Sequence, residues 1–75
     1  MDHGLIGLGA ALTIGLAAFG AAIGIAFATA KSAEAAARQP EIAGKIQAML
    51  MTSIVFIEAT AIYALVVSLL LIFAF

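Results

Sequence analysis

Two long apolar runs, Leu5 to Ala30 and Ile46 to Phe75, flank one polar segment, KSAEAAARQPEIAGK. Each run exceeds the ~20 residues that a helix needs to cross a ~30 Å hydrocarbon core. Unpaired backbone groups are too costly in lipid for open strands, and the alternating segments of about 10 residues that close into a barrel are absent, so both runs read as helices. The pattern predicts an all-α membrane protein, a single two-helix transmembrane hairpin. Helix 1 is expected over about 4–38, a polar turn over about 38–40 and helix 2 over about 41–74. Pro40 disfavours helical geometry at Gln39 and suits the first turn of a new helix, which confines the reversal to Arg38, Gln39 and Pro40. Both helices should project beyond the lipid at that end.

Within the first run, AFGAAIGIAFATA places a small residue at every second position: Ala18, Gly20, Ala22, Gly24, Ala26, Ala28 and Ala30. On a helix a step of two residues turns about 200° and a step of four returns within about 40° of the start. The small residues therefore line two faces. Ala18, Ala22, Ala26 and Ala30 form one, Gly20, Gly24 and Ala28 the other, and Phe19, Ile23 and Phe27 project between them. Helices in lipid associate by close backbone approach at small residues. A helix that packs alike on two sides is expected to build an array of identical copies, and heterologous contacts that close give a ring.

Composition changes the picture in one respect. At 67% hydrophobic and 9% charged residues, the chain is far more apolar than a soluble domain, for which about 45 to 50% apolar is usual. With no cysteine and one histidine, a soluble fold of this size would have neither disulfides nor a metal to staple it. No resident metal or cofactor is expected, nor a nucleic-acid partner. Met1, Asp2 and His3 offer no basic stretch ahead of the first run, which speaks against a cleaved signal peptide. His3 reads as a solvated residue, and Met49 and Met51 as lipid-facing filler.

Charge adds an orientation. Lys31, Arg38 and Lys45 are the only Lys or Arg residues, and all lie in the polar segment, so by the positive-inside rule that end is expected in the cytoplasm with both termini on the far side. The segment serves either as a solvated turn or as a docking surface for a soluble partner.

The candidate chemistry lies in SIVFIEATAIYALVV. Glu58 is the only ionisable group within either run apart from the phenol of Tyr63, and it stands about 12 residues from one end of its run and about 17 from the other. Charged side chains at a helix centre cost about 2.5–3.5 kcal/mol on insertion scales, so a carboxyl there is expected to be neutral when facing lipid, or to hold a cation. Thr60 lies about 160° and Tyr63 about 140° around the helix from Glu58, while those two are only about 60° apart. In a ring, Glu58 of one copy would meet the Thr60 and Tyr63 edge of the next.

These residues resemble the proteolipid, or c-type rotor subunit, of F-type ATP synthases over nearly the whole chain. Four features carry the resemblance: the small-residue helix A-x-G-x-A-x-G-x-A from Ala18 to Ala26, the ARQP turn from Ala37 to Pro40, the mid-helix carboxylate Glu58, and Tyr63 five residues after it. Many members have glycine throughout the first motif. The resemblance implies a homo-oligomeric ring of hairpins in membrane lipid, helix 1 inside and helix 2 outside, turning against a stator as ions load and leave the carboxylates. Ala18, Gly20, Ala22, Gly24 and Ala26 would pack helices, and Arg38, Gln39 and Pro40 would meet the central stalk. The chain has no membrane-embedded Arg or Lys, so a fixed positive charge would come from the family's stator partner, the a subunit. It also lacks a phosphate-cradling loop, so it is not expected to be an enzyme itself. The location implied is a bacterial plasma membrane.

A proton is the expected ion. Sodium needs several oxygen ligands. Sodium-binding members of the family typically offer a glutamine from helix 1 and a hydroxyl directly after the carboxylate, and those positions here are Ile25 and Ala59. The Phe56 carbonyl, the Tyr63 hydroxyl and a water held by Thr60 suffice for a protonated carboxyl that donates one hydrogen bond and accepts another. A sodium-translocating rotor protein is the alternative. From other classes, a holin-like pore-forming hairpin would also pack through small faces but leaves Glu58 unexplained, and a regulatory peptide binding one larger partner would need a single packing face.

Overall fold

The computed structural model describes residues 2–75, and Met1, cited above against a basic leader, lies outside them. Two antiparallel helices make up the molecule: α1 over His3–Arg38, then a single 3-10 turn over Pro40–Ile42, then α2 over Ala43–Ala74. Among the described residues there is no strand. Alpha-helical geometry therefore begins two residues later than the expected start of about 41. The cause is local: Ile42 N–H donates to the Gln39 carbonyl at 3.1 Å, closing a tighter turn in which Pro40, with no N–H to give, occupies the first position.

Both ends of α1 are capped. Asp2 Oδ1 accepts from the Gly4 N–H at 2.7 Å, and Gln39, which has left helical geometry (φ −132°, ψ 71°), returns its N–H to the Ala35 carbonyl at 3.0 Å. Arg38 sits in the last turn, where the partial negative end of the helix favours a cation. At about 1.5 Å per residue both helices exceed the ~30 Å hydrocarbon thickness, and the hairpin is 57 Å long.

A seam of small residues on α1 meets larger ones on α2. On α1 the inward positions Ala10, Thr13, Ala17, Ala21, Gly24 and Ala28 recur at steps of three and four; on α2 they are Leu50, Ile54, Ile57, Ala61, Ala64 and Ser68. A Cβ added at Gly24 would lie 3.8 Å from Ile57 atoms, and one at Gly9 would lie 3.9 Å from Leu71 Cδ1. The glycines hold the helices close. None has a positive φ among the described residues, so none is needed for a turn. One side-chain bond crosses the seam: Ser68 Oγ donates to the Ala10 carbonyl at 2.8 Å, with both residues buried.

The hairpin buries little else. Leu12, Leu16, Phe19, Phe27, Phe56 and Phe73 are all more than half exposed. Each such side chain gains about 1.5–3 kcal/mol when withdrawn from water. Summed over the surface this is on the order of tens of kcal/mol, which only lipid or further copies can supply.

Candidate functional site

Glu58 lies near the midpoint of α2 and is exposed on the surface of the hairpin. Among the described residues, no hydrogen bond or ion pair engages its carboxyl. It borders a groove of about 380 Å³ between the helices, lined by Ala18, Ala22 and Ile25 of α1 and by Ile62 and Leu65 beside it on α2. Among the described residues, Glu58 is the only ionisable one lining that groove. The small side chains of Ala18 and Ala22 create the space, and Ile25 faces it without a side-chain oxygen.

Gly24 and Ile57 face each other across the seam, so angles from that pair sort every other position. On α2, Glu58 lies about 100° to one side of Ile57, with Thr60 about 60°, Phe56 about 100° and Tyr63 about 120° to the other. On α1, Ile25 and Ala18 lie about 100° and 120° to the groove side of Gly24, with Phe27, Leu16 and Ile23 about 60°, 80° and 100° to the other. Because antiparallel helices present matching senses of rotation on one flank, the hairpin has two unlike flanks. One is a groove, opened by Ala18 and Ala22, that holds Glu58. The other is a ridge of large side chains holding Thr60 and Tyr63, whose phenol is 71% exposed.

Within a single hairpin the structure therefore keeps Glu58 apart from the Thr60 and Tyr63 edge. Phe56 is also on the ridge flank, and its side chain is exposed. The Thr60 hydroxyl donates to the Ile57 carbonyl of its own helix at 2.6 Å, which spends its proton and leaves its lone pairs free to accept. Ala59 is half-buried.

The two small faces of helix 1 are not equivalent, which corrects the expectation of like packing on both sides. Gly24 and Ala28 belong to the seam with α2 of the same chain, joined there by Ala17 and Ala21. Gly20 is exposed, with nothing within 4 Å of an added Cβ. Ala18, Ala22 and Ala26 remain exposed, Ala18 and Ala22 along the groove beside Glu58. The alternating pattern alone conceals this, because a hairpin must assign part of its small surface to its own second helix. Arg38, Gln39 and Pro40 are exposed together at the turn.

Two polar groups have roles that the sequence does not announce. Ser68 reads as an ordinary hydroxyl in an apolar run, yet it forms the interhelical bond. Thr13 donates back to the Gly9 carbonyl at 2.7 Å, a self-satisfied arrangement that lets a hydroxyl sit at the seam.

Comparison with known proteins covers most of the chain. Residues 8–71 match the family model of the ATP synthase C subunit. The ATP synthase c subunit of Gloeobacter violaceus is 51% identical over 67 residues, spanning 89% of this chain and 82% of the relative. The chloroplastic c subunit of Euglena gracilis is 52% identical over 67 residues, spanning 89% and 83% respectively. The c subunit of a Nostoc species shows the same identity and the same coverage, 52% over 67 residues with 89% and 83% spanned.

Proposed function

The chain belongs to the ATP synthase C-subunit family, and from that premise we propose that it carries protons through a membrane on Glu58, as one of a ring of identical hairpins turning against a stator. Family membership makes it a non-catalytic membrane component of the ATP synthase complex. The observation that carries the finer reading is the division of the hairpin: one mid-membrane carboxyl in an apolar groove, and two hydroxyls on the opposite flank. Copies related by rotation about the membrane normal bring opposite flanks together at one height. Glu58 of each copy then meets Thr60 and Tyr63 of the next.

A neutral Glu58 keeps its proton and donates a hydrogen bond through it, and the Thr60 oxygen, whose own proton is directed to Ile57, can accept that bond. In that state the carboxyl can pass through lipid. Ionised, it is held in an aqueous path beside a fixed cation, which the stator's a subunit supplies. Each ion crossing about 100 mV contributes about 2.3 kcal/mol electrically, so several must be summed mechanically in the rotation. Arg38, Gln39 and Pro40 face the central stalk at the cytoplasmic end, in keeping with the cations gathered there. The membrane proposed is a bacterial plasma membrane.

Protons are favoured over sodium because Ile25 lines the groove beside Glu58 and Ala59 follows it, so neither supplies a side-chain oxygen. The test is carbodiimide labelling of Glu58 at constant pH with sodium chloride, against potassium chloride as control. Equal labelling in both salts supports proton transport. Protection by millimolar sodium alone would overturn it.

A further inference from the structure

A second groove opens nearer the turn, on the flank that holds Glu58. Its volume is about 220 Å³, and it is lined by Thr29 and Ser32 of α1 and by Ile46, Gln47 and Leu50 of α2. Unlike the groove at Glu58, it presents two hydroxyls and an amide. Toward the opposite flank, one helical turn or less away along α1, stands a knob built from two residues, Phe27 about 60° and Lys31 about 20° to the ridge side of Gly24. Phe27 is 66% exposed, and Lys31 Nζ lies 5.6 Å from the centre of its ring. Lys31 also stands 3.8 Å from Glu34 Oε2, a loose contact between two exposed side chains.

We propose that the Phe27–Lys31 knob of each copy seats in the Thr29–Ser32–Gln47 groove of the next. This rests on the ring reading above, since rotation about the membrane normal is what brings the two flanks together. Three observations favour a second copy as the occupant. Height is the first, because knob and groove occupy the same turns of α1 and so stay level in any such ring. Chemistry is the second. An ammonium has three protons to donate and accepts nothing, whereas the Thr29 and Ser32 hydroxyls and the Gln47 amide offer oxygens, and Ile46 and Leu50 suit a phenyl ring. The third is continuity, because this groove continues the flank on which Glu58 would meet the neighbouring Thr60. A lipid chain would match the apolar walls and leave Gln47 without a partner. With the ammonium in place, the groove is closed between the turn and Glu58.

The experiment is acetylation of lysines in the detergent-solubilised oligomer, read by mass spectrometry, with Lys45 as internal control. Lys31 should react roughly tenfold more slowly than Lys45 in the intact oligomer. The two should react alike once the oligomer is dissociated with organic solvent. Equal rates in the intact oligomer overturn the proposal, as does protection that survives dissociation, which would assign the effect to Glu34 of the same chain. A Phe27→Cys, Thr29→Cys double variant gives an independent readout. The two positions lie about 200° apart on one helix and cannot bridge within a chain, so oxidation should yield a ladder of linked copies. Absence of that ladder in an assembled oligomer also overturns it. A chain that runs as a monomer in native gels before any treatment contradicts the ring reading itself, and the knob falls with it.

Discussion

Ser68 Oγ donates to the Ala10 carbonyl at 2.8 Å across the seam, joining residues 58 positions apart in the chain. The rest of the seam is largely Ala, Gly, Ile and Leu, smooth surfaces that could slide along one another. Interhelical hydrogen bonds in membranes average about 0.6 kcal/mol and reach about 1.7 kcal/mol. Ser68→Ala should therefore destabilise the hairpin by about 1 kcal/mol, measured as a lower midpoint of helix loss in a denaturing detergent titration. An unchanged midpoint would show that packing alone sets the register.

Gly24 and Gly20 separate two kinds of contact. Gly24→Leu should disturb the hairpin itself, by about 1–3 kcal/mol, because an added Cβ already lies 3.8 Å from Ile57 and the further atoms overpack the seam. Gly20→Leu meets nothing in its own chain, so helicity should be retained while assembly of copies fails. Circular dichroism and native gels distinguish these outcomes, and oligomers persisting in Gly20→Leu would remove that position from the contact between copies.

How far the sequence reaches can be judged from these same residues. Two spans and their reversal follow from run length and Pro40, and Glu58 stands out because no other carboxyl lies within an apolar run. The division of the small residues between an internal seam and an outer flank is not legible there. Ala and Gly give no sign of which helix they will face, and contacts such as that of Gly24 with Ile57 resolve it. Ser68 is hidden for a similar reason, since a hydroxyl in an apolar helix can bond its own backbone, as Thr13 and Thr60 do, or a neighbour's.

Ion choice should be transferable by side chains. Ile25 already faces the groove beside Glu58, so Ile25→Gln together with Ala59→Ser adds the two oxygens that sodium coordination lacks. The double variant should show sodium protection of Glu58 against carbodiimide, and the natural chain none. Identical labelling of both chains across sodium concentrations would mean that these positions do not set the ion.

That Glu58 carries the ion, as proposed, is tested by ATP-driven ion uptake into vesicles reconstituted with the whole synthase bearing Glu58→Gln. Glutamine keeps the size of a neutral acid and can both donate and accept hydrogen bonds, but it cannot ionise. The variant should assemble into the same oligomer on native gels and show no uptake. Uptake at the rate of the natural complex, with the variant verified in the ring, would contradict the account.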